Sequence, residues 1–262
     1  MTTHRMSWLY IVAPLCLGVI AILGWYLTTA PGLIPAYLLP TPMTVAQELY
    51  ESLVSHADIW PYVATTMSEA LGGAFLGFVV AVPLAILIYR SRVASAATLP
   101  FLGATQAIPA IALANLLVLW IGYGLMSKVA LCALMVFFPI LVSSVVGFRH
   151  IDPDILSAAR VDGAGSVAML FEIEIPLALP NILAGVRNGF TLSVTGAVVG
   201  EMVMGGGGLG GLLSVQRESL NIAGMFSTII VLALLATALY TIVSAAERRW
   251  SNLTASLPKG ES

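Results

Sequence analysis

The chain has 262 residues, of which 59% are hydrophobic and 9% are charged, whereas about a quarter of the residues in a soluble domain carry a charge. This composition excludes a soluble globule and predicts an all-α polytopic membrane protein. The formal net charge is −2, and the absence of a basic cluster argues against nucleic-acid binding. Cys16 and Cys132 both lie in apolar stretches, so the sequence indicates neither a disulfide framework nor a metal site.

Six apolar stretches are long enough to cross a bilayer, which takes about 20 residues of helix. They run over residues 8–27, 61–89, 99–121, 129–148, 177–204 and 222–246. A cleaved signal peptide is the alternative for the first stretch. That stretch is longer than a usual signal core and Pro31 makes a poor cleavage site, so we predict a retained helix. Pro83 and Pro109 each remove a helical hydrogen bond and predict a kink or a break.

Residues 28–60 contain four prolines and an amphipathic segment, Val45 to Leu53, which we expect to lie along the outer interface. With the N-terminus inside, most basic residues fall on the cytoplasmic side, as the positive-inside rule requires. They are Arg5, Arg90, Arg92, Arg149, Arg160, Arg248, Arg249 and Lys259. Lys128 and Arg217 fall outside. We therefore predict a single transmembrane domain over residues 1–262 with both termini cytoplasmic, including a short polar tail at 250–262.

Residues 149–176 form the most polar connection between two apolar stretches. Asp152 is a good N-cap, Pro153 suits the first helical position, and Gly163 can end a helix in a left-handed conformation. These signals predict a short helix from Pro153 to Asp162.

A second short helix is expected after the glycine break. Ser166 can cap it, residues 167–173 can form it, and Pro176 is expected to stop it. The result is a cytoplasmic helix-turn-helix hairpin whose small side chains let the backbone of another protein approach closely. An ordinary cytoplasmic loop is the alternative.

The spacing from Ala158-Ala159 through Gly163 to Ile173 and Pro176 resembles the Glu-Ala-Ala loop of permease subunits of binding-protein-dependent ABC importers. Ser157 stands where the family usually has Glu, and Ile175 where it usually has Leu. The resemblance implies that this coupling hairpin docks on an ATPase subunit. The docking residues it assigns are Ser157, Ala158, Ala159, Asp162, Gly163, Ile173 and Pro176.

Segments at residues 39–42, 107–120, 137–139 and 200–210 are similar to the nitrate, sulfonate, taurine and vitamin-precursor branch of that family. The resemblance implies six transmembrane helices in the MetI-like architecture of type I importers, in the lipid of a bacterial cytoplasmic membrane. It also implies a pore made of two copies, two separate ATPase subunits that hold ATP and Mg, and an extracytoplasmic solute-binding protein.

The fifth apolar stretch carries two distinct faces. Four glycines spaced as two Gly-x-x-x-Gly pairs predict close packing on a neighbouring helix; they are Gly185, Gly189, Gly196 and Gly200. On another face, Asn188, Thr191 and Thr195 form a polar stripe that we predict to line the translocation path, with Glu201 near its outer mouth. Hydrogen bonds to neighbouring helices are the alternative for the stripe.

Glu69, Arg187 and Glu201 are ionisable residues within or near spans, where they need a cavity or a partner. Arg187 and Glu201 are 14 residues apart, about 21 Å along a helix, and cannot pair with each other. We favour structural roles for both Arg187 and Glu201, and Glu69 could pair with either.

The run Gly205 to Gly211 lacks the Lys-Ser or Lys-Thr and the preceding strand of a nucleotide loop. We predict a flexible turn beneath the outer gate, with a plain loop as the alternative.

The sequence also lacks a Walker motif, a His-Glu-x-x-His motif and a Ser, His and Asp constellation, so we do not expect this chain to be an enzyme or to hold a cofactor. Residues 199–202 and 238–240 are similar to permeases for vitamin precursors such as hydroxymethylpyrimidine or riboflavin. The alternatives are a sulfonate, taurine or nitrate importer, a stand-alone proton-coupled carrier that uses Glu69 or Glu201, and a membrane scaffold without transport.

Overall fold

The computed structural model describes residues 9–105 and 108–255. Within these ranges the chain is almost entirely helical and forms no β-strand. In chain order the α-helices are α1 (Leu9–Thr29), α2 (Pro42–Tyr50), α3 (Trp60–Arg90), α4 (Arg92–Thr105), α5 (Ala110–Ile121), α6 (Leu125–Arg149), α7 (Pro153–Val161), α8 (Ser166–Ala168), α9 (Ile175–Met204), α10 (Leu209–Glu218) and α11 (Ile222–Ala255). Two π-helical segments, Glu51–Ser55 and Met169–Glu174, follow α2 and α8.

Five helical segments among the described residues are long and apolar enough to cross a membrane. They are Val12–Thr29, Trp60–Arg90, Leu125–Arg149, Ser166–Met204 and Ile222–Arg249. The prediction of a polytopic helical protein is therefore confirmed. α3 runs through Pro83 from Trp60 to Arg90, so this proline does not end the helix.

The third predicted span is not one helix. Pro109 lies at the N-cap of α5 with extended backbone (φ −61°, ψ 130°), a position at which its missing N–H costs no helical hydrogen bond. α5 has 12 residues and is about 18 Å long, which is short of the roughly 30 Å hydrocarbon core. The pair α4 and α5 thus replaces the continuous span predicted over residues 99–121.

The described chain divides into two compact units. The first contains the residues up to Trp60 together with 212–231. Here the Trp25 indole donates to the Pro40 carbonyl at 2.9 Å, and its ring lies 5.7 Å from that of Phe226. The amphipathic segment predicted at residues 45–53 forms α2 and the π turn after it, with Val45 buried.

The second unit contains residues 61–211 and those from 232 onward. α6 carries many of its buried residues, because glycines of α3 and α9 let both helices pack closely on it. On α3, a Cβ atom at Gly77 would lie 2.9 Å from the Ala133 carbonyl oxygen, and one at Gly73 would collide with Cys132. Cys132 is accordingly a buried packing residue. The division into two compact units does not test the prediction of one transmembrane domain over residues 1–262, which stays a prediction.

Candidate functional site

The first arm of the coupling hairpin is fixed at both ends. The Asp152 carboxylate accepts a hydrogen bond from the Asp154 backbone N–H at 2.9 Å, and Pro153 takes the first helical position. Gly163 adopts a left-handed conformation with φ +87°, which ends the helix at low steric cost because glycine has no Cβ. Leu156 packs into the core of the second unit. The opposite face of α7 is left exposed.

The second arm differs from the prediction in two ways. Gly165, not Ser166, holds the N-cap position, so no side chain caps this helix. Pro176 lies in the first turn of α9 and does not stop the helix, because the widened π segment at residues 169–174 precedes it and accommodates a residue without an N–H donor. The helix therefore continues from Ser166 to Met204 over 39 residues.

The hairpin presents a surface of small and apolar residues. Among the residues assigned to docking, four are exposed, namely Ser157, Ala158, Asp162 and Gly163, and three are half-buried, namely Ala159, Ile173 and Pro176. Val161, Val167 and Phe171 are also exposed, at 87%, 72% and 63%. Sequence reasoning misses these three, although large apolar side chains flanking a polar turn are themselves a signal of a protein contact.

An ion pair connects the hairpin to the end of α3. The Arg90 guanidinium lies 2.6 Å from the Glu174 carboxylate, and it also donates to the Ser166 backbone carbonyl at 3.3 Å. The Glu174 side chain is 4% exposed and that of Arg90 37%. Arg90 therefore contacts both ends of the second arm, its first residue and the last residue of the π segment.

The four glycines of α9 lie against α6. A Cβ atom at Gly185 would lie 2.7 Å from Ser143 Cβ, and one at Gly189 would lie 2.8 Å from Val136 Cγ1. Gly196 and Gly200 contact Cys132 and Lys128 of the same helix. Larger residues at Gly185 or Gly189 would push the two helices apart.

The polar stripe of α9 faces away from this packed side. Asn188, Thr191 and Thr195 are all exposed. Within residues 9–105 and 108–255, the hydroxyls of Thr191 and Thr195 bond only to carbonyls of their own helix, both at 3.5 Å, which is at the weak limit for a hydrogen bond. These groups are therefore free to bind a solute or a second protein surface.

Arg187 has partners on α11. Its guanidinium lies 2.8 Å from the Glu247 carboxylate and 5.2 Å from the centre of the Tyr240 ring. The pair joins α9 to α11 one residue before the polar stripe begins. This geometry agrees with a structural role for Arg187.

Lys128, which charge counting places on the outer side of the membrane, is buried. It lies in the first turn of α6 with its side chain 7% exposed. Its ammonium lies 3.0 Å from the Glu69 carboxylate, which is 2% exposed. The basic residue that pairs with Glu69 is therefore Lys128 and not Arg187, which pairs with Glu247.

Glu201 lies at the end of α9 that leads into the glycine run. It is 0% exposed and accepts hydrogen bonds from the Thr66 hydroxyl at 2.7 Å and the Gly210 backbone N–H at 2.5 Å. The Glu201 carboxylate therefore does not line an open surface of this chain, although the sequence predicts that Glu201 lies near the outer mouth of the path. Gly208, Leu209 and Gly210 are buried too, so the predicted flexible turn is in part closely packed.

Residues 73–252 match the family described as "Binding-protein-dependent transport system inner membrane component". The riboflavin transport system permease protein RibX of Chloroflexus aurantiacus is 37% identical over 250 residues, which cover 94% of this chain and 92% of RibX. The formylaminopyrimidine transport permease protein ThiX of Halalkalibacterium halodurans is 32% identical over 199 residues, covering 76% of this chain and 79% of ThiX. Among solved structures, the inward-facing MetNI methionine ABC transporter superposes with a TM-score of 0.66 at 20% identity, over 74% of this chain and 98% of that one.

Proposed function

The chain belongs to the family of binding-protein-dependent transport system inner membrane components and is an ABC importer permease subunit; from this premise we propose that it imports a vitamin precursor of the riboflavin or pyrimidine type. The observation that carries the substrate class is the similarity to RibX over 94% of the chain. The exposed stripe of one amide and two hydroxyls also suits a neutral, hydrogen-bonding heterocycle. A sulfonate, taurine or nitrate would favour basic side chains on this stripe, which has none.

The proposed assembly contains two copies of this chain, two ATPase subunits that hold ATP and Mg, and an extracytoplasmic binding protein. It lies in the cytoplasmic membrane of a bacterium with both termini inside. ATP hydrolysis takes place on the ATPase subunits, and the coupling hairpin is the part of this chain that docks on them. The polar stripes of the two copies line the path between them.

The continuous helix from Ser166 to Met204 supports a mechanical form of coupling. Its 39 residues span about 58 Å, so a displacement of the hairpin is passed directly to the stripe on α9. Closure of the ATPase dimer then tilts the two α9 helices and exposes the stripe alternately to the two sides of the membrane.

The test is purification of the tagged chain from gently solubilised membranes, followed by reconstitution of the purified complex in vesicles. We expect an ATPase subunit to co-purify, and radiolabelled riboflavin or formylaminopyrimidine to enter the vesicles when ATP and the binding protein are present. Entry of taurine in place of both heterocycles would contradict the substrate class. Uptake by the chain alone, without an ATPase subunit, would contradict the importer mechanism and support a proton-coupled carrier.

The ion pair between Arg90 and Glu174 gives a prediction about coupling. Arg90→Glu places two carboxylates together and detaches α3 from the second arm of the hairpin. We expect uptake to fall about tenfold while the complex still hydrolyses ATP, since a contact on a coupling route typically changes coupling by about 0.5–2 kcal/mol. The measurement is the number of solute molecules imported per ATP hydrolysed.

Two variants control this experiment. The double variant Arg90→Glu with Glu174→Arg restores an ion pair and should recover most of the uptake. Arg92→Glu changes an exposed arginine in the next helix and should have little effect. Equal losses in the Arg90 and Arg92 variants would show that local charge, not the ion pair, matters.

A further inference from the structure

The glycine-rich segment Gly205–Gly211 lies against buried polar side chains of the second unit. The Thr66 hydroxyl of α3 donates to Glu201 Oε1 at 2.7 Å and accepts from the Leu209 backbone N–H at 2.8 Å. The other carboxylate oxygen of Glu201 accepts from the Gly210 N–H at 2.5 Å. Two side chains from two helices therefore hold two consecutive amides of the segment.

The glycines of this segment differ in the space around them. A Cβ atom at Gly208 would collide with the Glu201 carboxylate, and one at Gly206 would collide with the Lys128 ammonium. A Cβ atom at Gly210 would lie 2.5 Å from the Val198 carbonyl oxygen. Gly207, by contrast, has nothing within 4 Å of its Cβ position. Glycine is thus required at Gly206, Gly208 and Gly210, where a Cβ atom has no room, and not at Gly207.

Burial of Glu201 makes its hydrogen bonds to Thr66 and to the glycine segment costly to break. The Glu201 side chain has no exposed surface, and a carboxylate removed from water needs its hydrogen bonds to remain stable. Thr66 lies three residues before Glu69 on α3, and Glu69 is paired with Lys128 of α6. α3, α6 and the end of α9 therefore meet at one polar cluster that the glycine segment covers.

We propose that Thr66 and Glu201 are positioning residues that clamp segment 205–211 onto α3 and α9, so that this mouth of the path moves with the two helices as one rigid body. The clamp itself is a property of the chain alone. Its part in transport rests on the proposed function, because only a transporting assembly makes use of the mouth.

Hydrogen exchange of the purified full-length chain in lipid nanodiscs tests the clamp without ATP or solute. Thr66→Val keeps the shape of the side chain but removes the hydroxyl that joins Glu201 to Leu209. We expect the amides of residues 209 and 210 to exchange about tenfold faster, the effect of losing one hydrogen bond. Thr66→Ser keeps the hydroxyl and should exchange at the original rate.

Thr65→Val is the matched control, because among the described residues the Thr65 hydroxyl bonds only to the Pro61 carbonyl of its own helix, at 3.0 Å. Equal exchange in the Thr65 and Thr66 valine variants would overturn the proposal, and so would fast exchange in Thr66→Ser. Unchanged exchange in α6 shows that the effect of Thr66→Val is local.

A second pair of variants tests the clamp if Thr66→Val speeds hydrogen exchange throughout the chain. Gly208→Ala forces a methyl group against the Glu201 carboxylate, whereas Gly207→Ala places the same group in open space. Both remove the same backbone freedom from the unfolded chain. We expect about tenfold faster exchange at residues 209 and 210 in Gly208→Ala alone, as for one lost hydrogen bond; identical exchange in the two variants would overturn the clamp.

Uptake by the reconstituted complex tests the part in transport, with riboflavin as the probe. We expect Gly208→Ala to import several-fold less solute per ATP than Gly207→Ala, because a loosened mouth no longer follows the helices. Faster exchange at residues 209 and 210 with unchanged uptake per ATP would overturn the role in transport and leave the clamp intact. Absence of uptake in the unsubstituted complex would contradict the proposed substrate, while the exchange result would still decide the clamp.

Discussion

Replacing Gly163 by leucine is expected to abolish solute uptake while the chain remains in the membrane. Gly163 has φ +87°, a conformation that costs a residue with a Cβ atom about 1–2 kcal/mol. It is also exposed at the tip of the hairpin, with nothing within 4 Å of its Cβ position. Leucine at this position therefore strains the turn and adds bulk where an ATPase subunit is proposed to dock. The measurements are the amount of chain in the membrane, co-purification of the ATPase subunit, and uptake.

Two control variants separate backbone strain from loss of the docking surface. Gly163→Asn introduces a residue that tolerates the left-handed conformation, so it should keep more uptake than the leucine variant. Gly165→Ala changes a glycine with φ −70° and open space around it, and should leave uptake near its original level. Normal uptake by Gly163→Leu would contradict a docking role for this turn.

The first arm of the hairpin could be predicted from sequence because its signals are local. Asp152 and Pro153 act at the start of α7 and Gly163 acts at its end, and each takes the position that its backbone preference requires. The second arm could not be predicted in the same way. A proline normally ends or kinks a helix, but the packing of Met169 and Glu174 in the second unit holds a π segment that lets the helix continue past Pro176.

The partners of the ionisable residues are even harder to predict from local sequence. Charge counting assigns Lys128 only to a side of the membrane, and a lone lysine at the edge of an apolar stretch gives no sign of its partner. Glu69 is 59 positions away in the sequence, and only the packing of α3 on α6 brings the two together. The four glycines on α9 were recognisable from their spacing, whereas the glycines of segment 205–211 are explained by side chains from other helices, which no local pattern reveals.

Replacing Lys128 by methionine is expected to give the largest loss of stability among the changes considered. The Glu69 side chain is 2% exposed, and among the described residues its second carboxylate oxygen has no hydrogen-bond partner. Without the ammonium at 3.0 Å, the carboxylate is buried with no opposite charge. Breaking one half of such a pair typically costs about 3–5 kcal/mol. Methionine fills much of the space of the lysine stem that packs beside Gly200, so the loss reflects the charge.

The free energy of unfolding of the chain, measured by denaturation in mixed micelles, gives the result. Arg217→Met removes an exposed charge at the end of α10 and should change it by less than about 0.5 kcal/mol. The double variant Lys128→Met with Glu69→Leu removes both charges and should recover most of the loss, because an apolar pair of similar volume can replace a buried ion pair. A double variant less stable than Lys128→Met alone would show that Glu69 stabilises the fold through contacts other than Lys128. The polar cluster beneath the glycine segment would then depend on the carboxylate itself, and the ammonium would serve chiefly to fill the space beside Gly206.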